Sequence, residues 1–285
     1  MRGLFVGLMT LDCIYQAQRP PQANEKLVAE TALMAAGGPA TNAAVAFAAL
    51  GGQATVMAAV GQHPVTALLR EDMEQTGVNI LDLMPQRQEP PPVSSIVVSQ
   101  TSGERAVISR NAMGLQVGGQ AVDFTDLLSG PVARDVVLVD GHQMELSRQV
   151  AMTAQRLGIP IVVDAGSWKP GFEQVLALAT VVIASANFQP PISLAPLTYL
   201  QSLGVPHIAI THGERPIVVS DQGTLRELAV PATTVVDTLG AGDIFHGAFC
   251  HSWAGDFLVA LTRASQVAAL SCQHFGTRAW IRHYL

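Results

Sequence analysis

The chain is poor in charge, in cysteine and in aromatic side chains, and the first two shortages remove whole classes of function. Charged residues make up 13% of 285, and the net charge is −6. No basic stripe is available to neutralise a nucleic-acid backbone, so no nucleic-acid partner is expected. Cys13, Cys250 and Cys272 stand far apart without CxxC spacing, which argues against a disulfide framework and for a reduced, cytoplasmic setting. The opening MRGLFVGLMTLDCIY puts Arg2 before an apolar run, as a signal peptide would. Asp12 interrupts that run and no small-residue cleavage site follows, so a first strand is expected instead. Residues 31–69 carry no charge at all, but Gly37, Gly38, Pro39, Asn42, Gly51 and Gly52 break the stretch far short of the roughly 20 residues a membrane span needs. No membrane association is expected.

Motifs are missing as well. GxxxxGK[ST] does not occur, the chain has no internal repeat, and its one low-complexity stretch is Pro90, Pro91 and Pro92. His246, His251 and His274 have no metal-ligand spacing, and no zinc site is expected.

With 49% hydrophobic residues the chain can bury a sizeable core, and residues 1–285 are read as one domain. Short Val- and Ile-rich runs alternate with helix-like stretches. That pattern predicts an α/β fold, a mostly parallel sheet flanked by helices. Strands are expected over 3–9, 54–59, 136–139, 159–164, 180–184 and 207–211. Helices are expected over 43–50, capped by Thr41 or Asn42, and over 65–75 and 146–157. Residues 26–34 and 93–109 look extended instead, the second stretch being split by a turn at 101–104. Together they predict a small β-sheet lid, over segments of about 13–36 and 88–111, above the strand ends where open α/β sheets bind ligands.

The most specific stretch is DTLGAGDIFHGAF at 237–249. Val235 and Val236 lead in as a strand, and Ile244, Phe245, Ala248 and Phe249 recur at helical spacing. The glycines therefore fall at a helix start, where unpaired N–H groups attract anions and the macrodipole favours the Asp243 carboxylate. The third glycine of GxGxxG is absent, Phe245 holding its place, which argues against hydride-transfer chemistry. Read from the residues alone, the turn either binds phosphate or is merely a tight helix start.

DTLGAGDIFHGAF closely resembles the C-terminal motif of the ribokinase-like (PfkB) carbohydrate kinase family. The stretch GGPATN at 37–42 resembles that family's N-terminal motif. The resemblance spans nearly the whole chain and implies a ribokinase-like fold in which ATP phosphorylates a sugar hydroxyl. It implies that Gly240, Ala241 and Gly242 form an anion hole and that Asp243 is the catalytic base. Substrate is expected on Asp12, Gly37, Gly38 and Asn42, with Arg105 from a lid turn and Lys26 toward an anionic group. Asn187, Thr211 and Gly213 match nucleotide-binding positions. Pro190 stands where the family places a metal-organising Glu, so magnesium is expected to be held mainly through ATP and water. Asp237 matches a monovalent-cation position, implying K+; by itself it could equally well brace the turn. The tail after residue 262 resembles the helix and loop beside the adenine. In relatives the lid often forms a dimer interface, so the resemblance implies a homodimer through the lid.

The variants VVDTLGAGD and GGPATN resemble most those of ketohexokinases and sulfofructose kinases, implying a ketose or a phosphate or sulfonate derivative as acceptor. A nucleoside is the alternative acceptor. A noncatalytic nucleotide or sugar sensor is the alternative function, although a sensor would have no need of a base at Asp243.

Overall fold

The computed structural model describes residues 1–118 and 123–284. In chain order the strands are β1 (Arg2–Val6), β2 (Thr10–Ala17), β3 (Thr31–Gly37), β4 (Gln53–Ala58), β5 (Asn79–Asp82), β6 (Val93–Ser99), β7 (Arg105–Ser109), β8 (Val136–Val139), β9 (Ile161–Ala165), β10 (Val181–Ser185), β11 (His207–His212), β12 (Arg215–Asp221) and β13 (Thr224–Leu228). The helices are α1 (Pro39–Ala49), α2 (Thr66–Gln75), α3 (Thr125–Ser129), α4 (Met144–Arg156), α5 (Phe172–Leu176), α6 (Pro196–Ser202), α7 (Ala241–Ser252), α8 (Phe257–Ser271) and α9 (Ile281–Tyr284).

The large sheet runs β13-β12-β11-β10-β9-β8-β1-β4-β5. It is parallel from β5 to β11 and is extended at one edge by the antiparallel strands β12 and β13. Both faces are covered, which is why its central strands read as unbroken apolar runs. Phe5 and Val162 pack with residues of α1, α7 and α8 on one face. Leu4, Val6, Ile161 and Val163 pack with α4, α5 and α6 on the other. The fold is ribokinase-like α/β.

A second sheet, β3-β2-β6-β7, stands apart. Its inner face buries Ile14, Ile96 and Val98 against Leu33, Leu239 and Phe275. It therefore rests on the segment that leads into the glycine turn.

Several local expectations need correction. The first strand ends at Val6, not residue 9, because the chain bends there: Leu8 N–H leaves the large sheet and donates to a carboxylate oxygen of Asp140 at 2.9 Å. Asp12 consequently lies within β2, a strand of the second sheet that sequence periodicity did not reveal. The second sheet starts at Thr10, where the segment expected to form a lid was placed from about 13, and of residues 26–34 those before Thr31 are not strand. Helix α1 begins at Pro39, with Gly38 at the N-cap (φ 97°). Neither Thr41 nor Asn42 caps it: the Thr41 hydroxyl donates to Leu8 O, and Asn42 N–H already donates to Gly38 O. Val235 and Val236 form no strand. Both are exposed, and the N–H groups of Val236 and Asp237 both donate to Cys272 O, so the C-terminal loop takes the place of a sheet neighbour.

Candidate active site

The first ends of α1 and α7 converge beside the carboxyl ends of the parallel strands. Gly247 is the reason they come so close: a Cβ there would lie 2.2 Å from Ala43 O, so a side chain would wedge the two helices apart. The contact carries Asn42 of α1 to Asp243 of α7, and Asn42 Nδ2 donates to Asp243 Oδ2 at 2.9 Å.

The glycine turn has the geometry that an anion site needs. Gly240 caps α7 in the left-handed region (φ 69°), and a Cβ on it would meet Thr277 at 2.8 Å. Ile244 N–H makes the first intrahelical bond, to Gly240 O, which leaves the N–H groups of Gly242 and Asp243 ahead of the ladder. Space above Gly242 is open: an added Cβ would meet nothing within 4 Å. Asp243 sits in the first turn of this helix. Burial, reinforced by the nearby Asp164 carboxylate, pushes its pKa up to about 6, against the Asn42 hydrogen bond and the positive potential of His246 and Arg105.

Asp164 was not singled out by sequence reasoning, and His246 was read only as lacking metal-ligand spacing. Asp164 ends β9, where a strand-end Asp carries no motif of its own. The ring of His246 faces two backbone carbonyls that accept from a ring N–H, with Nδ1 2.7 Å from Gly242 O and Nε2 3.3 Å from Ile183 O, and Nε2 lies 3.7 Å from Asp164 Oδ1. One helical turn after Asp243, it faces inward, a position its spacing from Asp243 would have shown.

Asp12 of β2 is buried, and its Oδ1 accepts from the Thr10 hydroxyl at 2.6 Å. Burial raises its pKa, opposed by Thr10, Ser94 and Arg278. Gly37 makes room for it, since a Cβ there would lie 1.8 Å from Asp12 Oδ2. Asp140 secures the same corner by accepting the N–H groups of Leu8, Ala40 and His142. Although burial opposes ionisation, His142 and these donors hold Asp140 at about 2.

The remaining expected residues divide. Arg105 of β7 is drawn to the turn, its Nη1 donating to both Thr238 O and Thr238 Oγ1 at 3.2 Å. Asn187, Thr211 and Gly213 lie past or at the ends of β10 and β11, where Asn187 and Gly213 are exposed and Thr211 Oγ1 donates to Ala184 O. Nδ1 of His212 between them is buried without a partner among the described residues. Asp237 is buried with Oδ1 accepting from Leu239 N–H and Oδ2 from Gly276 N–H, so it braces the turn. Lys26 is exposed between β2 and β3, and its ammonium has no hydrogen bond or ion pair among the described residues. Arg278, unforeseen, reaches from the C-terminal loop to Asn42.

The model of the pfkB family carbohydrate kinases matches residues 3–282. The chain belongs to this family. The kinase is a phosphotransferase with an alcohol group as acceptor. It is 24% identical to an ATP-dependent ribose-1-phosphate kinase of Halopiger xanaduensis over 98% of this chain and 94% of the relative. It is 25% identical to ketohexokinase of Mus musculus over 94% and 95% of the two chains. Among solved structures, Arabidopsis thaliana ribokinase complexed with ribose and ATP superimposes with a TM-score of 0.76 at 21% identity, covering 96% of this kinase and 93% of that chain.

Proposed function

We propose that this kinase transfers the γ-phosphoryl group of ATP to a monosaccharide hydroxyl, with Asp243 as the general base. The observation that carries the reading is the position of Asp243: a carboxylate in the first turn of α7, beside free helix N–H groups, with a pKa near 6. A base is most effective when its pKa lies near the operating pH. At neutral pH Asp243 is mostly ionised yet basic enough to accept the hydroxyl proton as the oxygen attacks.

Phosphoryl transfer otherwise demands alignment and charge stabilisation. Gly240, Ala241 and Gly242 supply the anion hole; comparable single donors contribute about 2.7–4 kcal/mol. Asp12, Gly37, Gly38 and Asn42 hold the acceptor hydroxyls. Asn187, Thr211 and Gly213 take the nucleotide, a placement supported by the open space at Gly213 and the unpartnered Nδ1 of His212. Magnesium, when bound with ATP, neutralises phosphate charge. Pro190 offers it no side-chain ligand, which favours an ion held by phosphate and water. Because both Asp237 oxygens accept N–H donors, K+ would be coordinated through lone pairs those bonds leave free. The second sheet serves as a lid whose closure excludes water. Its outer face, where Met34, Val93 and Ile108 are exposed, is the surface of a homodimer.

For the acceptor the reading is a ketose or a ketose derivative, with ribose and ribose 1-phosphate as the competing class that the relatives' names add. The test is acceptor-dependent ADP release from magnesium-ATP across ketoses, aldoses, sugar phosphates, a sulfo-sugar and nucleosides. Asp243→Asn is run alongside. Turnover with one class, lost by several orders of magnitude in the variant, supports the reading. Undiminished turnover in Asp243→Asn removes the base from Asp243, and nucleoside-dependent turnover replaces the sugar.

A further inference from the structure

Arg278 lies far along the chain from every glycine motif, yet it makes the longest-range connection in the site. Its Nη1 donates to Asn42 Oδ1 at 3.0 Å and to Thr277 Oγ1 at 2.9 Å. Its Nη2 donates to Ala36 O at 2.6 Å and to Asp72 Oδ2 at 3.1 Å. Asp72, on α2, also accepts Ala36 N–H at 2.9 Å. The guanidinium is thus gripped from α2 and β3, and it presents one N–H to the amide of Asn42. Its Nε is buried without a partner among the described residues, an unfavourable arrangement for a group that serves packing alone.

The consequence follows from amide chemistry. Asn42 has one acceptor end and one donor end. Turned the other way, its NH2 would face guanidinium N–H groups while its oxygen faced the Asp243 carboxylate, and both contacts would be repulsive. We propose that Arg278 is a positioning residue for phosphoryl transfer, which by binding Asn42 Oδ1 keeps Asn42 Nδ2 turned toward the Asp243 carboxylate. Asp72 anchors the arginine, so the string Asp72, Arg278, Asn42, Asp243 ties α2, the C-terminal loop and α1 to the base on α7. Without Arg278 the amide is oriented by the Asp243 contact alone, so the donor is held less firmly on the carboxylate and stabilises its ionised form less. The other charged groups facing Asp243 are Asp164 at the end of β9, His246 on α7 and Arg105 on β7. None of them is held by Arg278.

The inference rests on Asp243 being the base proposed above, and its test reads ionisation without turnover. The side-chain amide resonances of Asn42 are followed by NMR from pH 4.5 to 8 in the ligand-free full chain, identified by their loss in Asn42→Ser. In the wild type they are expected to titrate with a midpoint near 6, a titration absent from Asp243→Asn. In Arg278→Gln the midpoint is expected to rise by about half to one unit, with Arg278→Lys falling between. With whichever acceptor turns over, the acid limb of kcat/KM moves by the same amount while KM for ATP stays put. An unshifted midpoint in a variant with a native thermal transition overturns the proposal, as does an Asn42 amide that does not titrate in the wild type. If Arg278→Gln does not fold, the midpoint in Arg278→Lys takes its place: raised, it supports the positioning role, and unshifted, it overturns it. A shifted midpoint in a chain that phosphorylates no acceptor would support the positioning while removing the proposed function.

Discussion

Asp140 is buried and Asp243 half-buried, their pKa values are pushed in opposite directions, and the difference lies in their donors. Asp140 accepts three backbone N–H groups and faces His142, whereas Asp243 accepts one amide and faces Asp164. For catalysis, kcat/KM is expected to fall tenfold per pH unit below about 6 as Asp243 protonates, measured as initial rates in a series of buffers. The linkage to stability has the reverse sign. The folded-state pKa of Asp243 lies above its ordinary 3.8, so its contribution to stability is full below about 4 and lost as pH rises through about 6. Asp243→Asn should therefore be more stable than the wild type at pH 8, on the order of 1–3 kcal/mol, with the gap closing toward pH 4 in thermal melts. Asp140 is depressed to about 2, so its contribution is present above about 4 and lost as pH falls through about 2. Asp140→Ala should cost about 2–4 kcal/mol at neutral pH, since it orphans the N–H groups of Leu8, Ala40 and His142. Equal denaturation midpoints for this variant and the wild type would contradict that role.

At the scale of elements, the contact of α1 with α7 sets the distance from Asn42 to Asp243. Gly247→Val should separate the helices and cost about 1–3 kcal/mol by overpacking, because even its Cβ would lie 2.2 Å from Ala43 O. Activity should fall further than stability, measured as kcat/KM at a temperature where the variant is fully folded. The glycine motif announced this helix start, since glycines followed by apolar residues at helical spacing have few other uses. The lead-in was not legible: Val235 and Val236 have strand-like side chains, but their backbone partner is Cys272 O, supplied from far along the chain. Strand β2 was hidden for a similar reason. It continues the apolar run of β1 after a bend made by Asp140, which no local pattern records.

Across the whole molecule the turn between β6 and β7 ties the second sheet to the lead-in of the glycine turn by hydrogen bonds. Thr238 N–H and Oγ1 both donate to Gly103 O at 3.0 Å, and Arg105 donates back to Thr238. Arg105→Ala should loosen that tie, seen as faster hydrogen exchange in β6 and β7 with the large sheet unchanged. On the outer face Ile108 is 79% exposed. Ile108→Asp should leave a monomer in sedimentation if that face is the dimer surface, and an unchanged oligomeric state would exclude it.

The sequence by itself determined the α/β class, the parallel strands and the glycine turn at the start of α7. Apolar periodicity and glycine placement are local properties, written in neighbouring residues. Tertiary structure alone decided that Asn42 meets Asp243, that Asp164 raises its pKa, that Asp237 braces the turn and that Arg278 reaches back to Asn42. These contacts join residues up to 236 positions apart. They exist because a close helix contact and a buried sheet bring those groups into one low-dielectric corner, where charge and hydrogen bonding act across space and not along the chain.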